Sequence, residues 1–82
     1  MATQQAGEIF PGIEVNPQIM DGVPVIVGTR VPIEVILGHL AAGDTEAAVM
    51  AEYDLTADQI HAAFGYAAQL IATERVYVVA AD

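Results

Sequence analysis

Few side chains in this 82-residue chain can do chemistry. Cysteine and serine are both absent, so there is no thiolate nucleophile, no thiolate metal site and no Ser-His-Asp set. The side-chain hydroxyls belong to threonine and tyrosine alone. The two histidines, His39 and His61, lack the His-x-x-x-His or Glu-x-x-His spacing that would turn two ligands onto one helix face. Each is expected to be structural or exposed. Glu52 and Asp54 are close in sequence, but they fall at a helix end and turn, where solvated charge is the ordinary outcome. No metal or cofactor is expected, and the chain is not expected to be an enzyme.

Charge is the most unusual feature. Eleven acidic residues face two basic ones, Arg30 and Arg75, for a net charge of −9. The acids are spread along the chain, so they do not form an acidic tail. Such a balance suits solubility or a high-salt setting, and it equally suits an acidic surface that meets a basic partner. Arg30 has many carboxylates from which to choose. Its guanidinium fork is expected to pin a strand–helix corner by bonding carbonyls, Glu34 or Asp21, with contact to a partner as the alternative.

The stretch around Arg30 organises the rest. Gly22-Val23-Pro24-Val25-Ile26-Val27-Gly28-Thr29-Arg30-Val31-Pro32 holds a short apolar strand pattern between two glycines. Pro24 and Pro32 fix φ at about −65°, and Gly22 and Gly28 permit angles that a Cβ forbids. Residues 1–8 read as a flexible tail, and residues 9–82 as one small domain. Strands are expected at about 12–15 and 23–27, forming an N-terminal ribbon, with Ile19 and Met20 anchoring the loop between them.

Helices are expected at about 32–42, 45–53 and 57–73. Pro32 suits a first helical position, and Ile33, Ile36, Leu37 and Leu40 form one apolar stripe. Gly43 suits a helix C-terminus, and Asp44 or Thr45 the next N-cap. Thr56-Ala57-Asp58-Gln59 fits a capping box, with Leu55 and Ile60 as its hydrophobic staple. Ile60, Phe64, Ala67 and Ile71 continue the third helix's expected buried face. Val76, Tyr77, Val78 and Val79 predict a last strand over about 76–80, either paired inside the domain or offered as an assembly edge. The fold class is therefore α+β: a small three-helix domain of helix-turn-helix or winged-helix type, with an N-terminal β-ribbon and a short C-terminal strand.

The signature Gly22-Val23-Pro24-Val25-Ile26-Val27-Gly28-Thr29-Arg30-Val31-Pro32 resembles that of the domain-of-unknown-function 433 family. Leu40-Ala41-Ala42-Gly43-Asp44, Tyr53-Asp54-Leu55-Thr56-Ala57-Asp58-Gln59-Ile60 and Ala62-Ala63-Phe64-Gly65-Tyr66-Ala67 are similar to its later segments, so the likeness covers about residues 12–70. It makes Gly22, Pro24, Gly28, Thr29, Arg30, Pro32 and Gly43 signature or partner-contact residues. It implies a helix-turn-helix-like fold and the antitoxin half of a toxin–antitoxin pair, whose usual partner is a small PIN-like ribonuclease. The chain departs from the family pattern in carrying Asp54 where proline is usual, and in having no basic residue between Val31 and Glu74.

Three functions follow as expectations. The first is the antitoxin-like interaction module. The second is a homo-oligomeric assembly protein that uses its apolar surface and terminal strand, since 55% of so short a chain is hydrophobic. The third, a DNA-binding regulator, is opposed by charge: duplex affinity comes from neutralising phosphates, yet the segment 31–73 holds six acids and no Lys or Arg. No apolar run is long enough to span a membrane and the N-terminus has no secretory pattern, so the expected compartment is the cytoplasm.

Overall fold

The computed structural model describes residues 6–74. The expected strand over 76–80 lies outside them. Three strands, β1 (Gly7–Phe10), β2 (Ile13–Val15) and β3 (Val25–Ile26), form an antiparallel sheet in the order β1-β2-β3. Three helices follow: α1 (Ile33–Ala41), α2 (Glu46–Tyr53) and α3 (Ala57–Glu74). The domain is α+β with three helices, and its sheet has one strand more than the two-stranded ribbon expected.

The additional strand includes Gly7 and Glu8, which the sequence assigned to a flexible tail. Gly7 pairs with Val15, and Glu8 with Glu14. Pairing makes this strand: Pro11-Gly12 turns the chain tightly, with Gly12 at φ 89, as the third position of a type II turn requires. The Glu8 side chain closes the same turn by accepting from Gly12 N at 2.7 Å. Met20, expected to anchor the next loop, is instead 44% exposed, while Ile19 is partly buried. The loop is shaped by its backbone, with Met20, Asp21 and Gly22 at φ 50, 59 and 82.

Each helix is bounded by local chemistry. Pro32 has φ −68 and ψ 144, so it is the N-cap of α1 and not its first helical residue. Its extended backbone is held by a bridge to Val25. At the other end Gly43 N donates to Leu40 O (3.1 Å) and Asp44 N to His39 O (3.0 Å), the paired bonds of a Schellman motif with Gly43 at φ 104. Thr45 caps α2 through Oγ1, which accepts from Ala48 N at 3.0 Å. Asp54 ends α2 at φ 57, an angle closed to the proline of the family pattern. Thr56 and Gln59 form the reciprocal capping box of α3, at 2.8 and 3.2 Å.

The core lies between sheet and helices. It comprises Ile13, Ile26, Ile33, Ile36, Val49, Leu55, Ile60 and Ala63, so all three helices and two strands bury apolar surface together. The staple residues Leu55 and Ile60 are both within it. The face that α3 buries differs from expectation. Phe64 and Ile71 are 42% and 64% exposed, while Ala63 is buried and Tyr66 partly so. Close approach decides this. A Cβ on Gly12 would lie 3.1 Å from the Ala62 Cβ, and one on Gly65 would lie 3.1 Å from the Phe10 ring. The helix turns its small residues to the sheet, because large ones would hold the layers apart.

Candidate functional site

The signature folds into a closed hairpin that joins β3 to α1. Ile33 N donates to Pro24 O at 3.0 Å, and Ile26 N to Val31 O at 3.1 Å. The tip is a turn with Gly28 at φ 79, in which Thr29 N donates to Ile26 O at 2.9 Å. Thr29 then works in both directions. Its hydroxyl donates to Ile26 O (2.8 Å) and accepts from Val31 N (3.0 Å). Glu14 on β2 accepts from Gly28 N at 3.1 Å and ties the tip to the sheet.

Arg30 does not pin this corner. It is exposed, and among the described residues it takes part in no hydrogen bond or ion pair, with Glu34 and Asp21 included. The physical reason is local: the Thr29 hydroxyl and the backbone already satisfy the corner's polar groups. A cation on an acidic chain is therefore presented on a braced loop. Of the remaining signature residues, Gly22 supports the tight loop before β3, Pro24 and Pro32 flank the hairpin base, and Gly43 sits apart at the end of α1.

A second constellation was not legible in the sequence. His39 Nδ1 lies 2.7 Å from Asp44 Oδ2, and its Nε2 lies 2.9 Å from the Tyr53 hydroxyl. The Schellman motif creates the first contact by turning residue 44 back over residue 39. The second needs α1 and α2 to pack, bringing the His39 and Tyr53 rings to 5.6 Å between centroids. This set joins one carboxylate, one imidazole and one phenol, and it links the ends of two helices. Among the described residues no three His, Asp or Glu side chains converge on a metal-sized site. The Asp44 position in a Gly-Asp turn five residues after a histidine was the available signal.

The third feature is an apolar groove of about 210 Å³ between α1 and α3. It is lined by Pro24, Ile33, Leu37, Tyr66, Ala67 and Leu70, with Glu34 as its only charged residue. The helix pair α2–α3, with the turn 54–56 between, has helix-turn-helix proportions. The exposed positions of α3 include Asp58, His61, Phe64 and Ile71, and the helix carries no Lys or Arg to neutralise phosphate. No helix among the described residues is long and apolar enough to cross a membrane.

No curated protein and no solved structure matches the chain. One family model does, described as protein of unknown function (DUF433), over residues 13–67. That span runs from the first core residue of β2 through the signature hairpin, the Schellman turn and the capping box to the groove wall at Ala67, and the chain belongs to this family.

Proposed function

We propose that the chain is an antitoxin-like interaction module that binds and neutralises a PIN-like ribonuclease. The observation that carries this reading is Arg30: an exposed guanidinium on a hairpin tip braced by Thr29 and Glu14, unpaired among the described residues of a chain with eleven acids. A planar fork held on a rigid loop suits a bidentate contact with a carboxylate on a partner, and rigidity lowers the cost of ordering it on binding. The acidic remainder would steer the chain toward a surface built to hold RNA. The work would take place in the cytoplasm, where such a nuclease meets its substrate. The test is native co-purification from the source cell at moderate salt, followed by ribonuclease assays. A small PIN-like protein eluting in fixed ratio, inhibited by the chain and about tenfold less by Arg30→Ala, supports the reading. An inhibitor unaffected by Arg30→Ala, or no nuclease in the eluate, overturns it.

A second reading, homo-oligomeric assembly, is favoured by Phe64 and Ile71. They stand seven residues apart on one face of α3 and are 42% and 64% exposed. A chain that is monomeric by light scattering at high concentration would remove this reading.

A further inference from the structure

We propose that Tyr53 is an acyl-acceptor site, whose phenol takes an acyl group from a neutral activated donor, with His39 as its base and Asp44 holding the ring. The proposal concerns one side-chain cluster of the isolated chain and does not rest on the ribonuclease reading.

The hydrogen bonds fix the proton positions. A carboxylate only accepts, so the 2.7 Å contact of Asp44 Oδ2 with His39 Nδ1 places a hydrogen on Nδ1. In the neutral ring Nε2 then carries a lone pair, and the Tyr53 hydroxyl, 2.9 Å away, donates to it. A nucleophile within hydrogen-bond reach of a base, with that base oriented by a third group, is the arrangement that activates weak nucleophiles. A link that served only to join α1 and α2 would need the phenol and one acceptor. Asp44 adds a fixed tautomer. It does so from the Schellman turn, where its own N–H is tied to His39 O at 3.0 Å, so carboxylate and imidazole are set on one corner. Helix packing sets the phenol, with the two ring centroids 5.6 Å apart. His39 and Tyr53 are both partly exposed, so a donor can approach them.

The step is a simple acyl transfer. The Tyr53 oxygen attacks the acyl carbonyl carbon as its proton passes to His39 Nε2. The bond from that carbon to the leaving group then breaks, and His39 returns the proton to the leaving group. A tyrosine ester and the protonated leaving group are the products, and no oxidant or reductant is consumed. Charge selects the donor. Phosphoryl and nucleotidyl donors are polyanions. Asp44 belongs to the cluster, the exposed Glu52 and Asp54 flank Tyr53, and the chain carries a net charge of −9, so such donors are repelled. A neutral acyl group activated as a thioester or an acyl azole meets no such barrier.

The test acetylates the full chain with N-acetylimidazole at mildly alkaline pH and follows each tyrosine by peptide mass. Tyr66 is the internal reference: it too is partly buried, and among the described residues it bonds to no histidine. Tyr53 is expected to react about tenfold faster than Tyr66, less than a base contributes in a closed active site, because this cluster is open to water. His39→Gln keeps an acceptor for the phenol but no base, and is expected to remove the excess. Asp44 is a positioning residue. In Asp44→Asn the amide can donate to Nδ1 and leave the hydrogen on Nε2, so the excess is expected to fall, and Asp44→Glu is expected to restore it. An unchanged Tyr66 rate reports an intact fold in each variant. Equal rates at Tyr53 and Tyr66 in the parent chain overturn the proposal. So does an excess at Tyr53 that survives His39→Gln or Asp44→Asn, which would leave the cluster as a helix-to-helix bridge alone.

Discussion

His39 Nε2 lies 2.9 Å from the Tyr53 hydroxyl, a contact between residues on different helices. With the ring hydrogen on Nδ1, His39 donates to Asp44 and accepts from the Tyr53 O–H; with both nitrogens protonated it donates to both. The bridge therefore survives either charge state of the ring, and it holds the C-terminal ends of α1 and α2 together. His39 is one-third exposed and Asp44 about half, at 33% and 49%, so the ionic part is screened and contributes little. Packing and the tyrosine bond carry the contact. Tyr53→Phe should cost about 1 kcal/mol and His39→Ala about 2 kcal/mol. In a double-mutant cycle by urea unfolding, the pair should couple by about 0.5–1 kcal/mol. Strict additivity would mean that the two rings do not share a bond in solution.

Thr29 and Arg30 are neighbours with opposite roles, and a pair of variants separates them. Thr29→Val keeps the side-chain shape but removes a hydroxyl that bonds both Ile26 O and Val31 N. It should cost about 1–2 kcal/mol and speed amide exchange at Val31. Arg30→Ala should change stability by no more than about 0.5 kcal/mol, as an exposed side chain with no partner among the described residues. Should Arg30→Ala destabilise as much as Thr29→Val, the guanidinium belongs to the corner after all.

What was legible in the sequence was what is local. The capping box of Thr56 and Gln59, the staple of Leu55 and Ile60 and the Gly43 helix end each depend on residues within a few positions, so spacing reveals them. The apolar stripe of α1 was readable for the same reason. Contacts set by tertiary approach were not. Gly7 and Glu8 become strand only because β2 is there to pair with them. The buried face of α3 follows from the closeness of Gly12 and Phe10, and a reading that follows bulky residues turns it toward Phe64 and Ile71. Tyr53 meets His39 only once two helices have packed. Arg30 was visible as a singular residue, but that the corner does not use it became evident only when Thr29 was seen to complete it.

Gly12 combines two constraints. Its φ of 89 is a left-handed angle, and a Cβ there would sit 3.1 Å from the Ala62 Cβ. The neighbouring atom belongs to a helix that cannot rotate away without disturbing Ala63 and Ile60 in the core. Gly12→Ala should therefore cost more than the roughly 1 kcal/mol of backbone strain alone, with about 2 kcal/mol as the expected total. Ala62→Gly added to the same chain should recover the steric part only, read against the Ala62→Gly single variant because glycine inside α3 itself costs about 1 kcal/mol of helix propensity. A thermal melt of the three variants checks this, and an unchanged midpoint for Gly12→Ala would show that β1 and β2 separate freely from α3.

Gly65 sets two effects against each other. It lies inside α3, where replacing glycine by alanine gains about 1 kcal/mol of helix propensity. A Cβ at this position would lie 3.1 and 3.2 Å from two carbons of the Phe10 ring, which also stacks at a tilt on Tyr66 with centroids 5.9 Å apart. Phe10 is on β1, an edge strand of the sheet, so its ring can give way more readily than a core residue, at the expense of the tilted contact. The two terms should nearly cancel, leaving Gly65→Ala within about 0.5 kcal/mol of the parent. With Phe10→Leu, which shortens the opposing side chain, the propensity gain should emerge, so that Gly65→Ala adds about 0.5–1 kcal/mol of stability in that background. Measured by urea unfolding in both backgrounds, an equal effect of Gly65→Ala would mean that Phe10 does not limit how closely the sheet meets the helix.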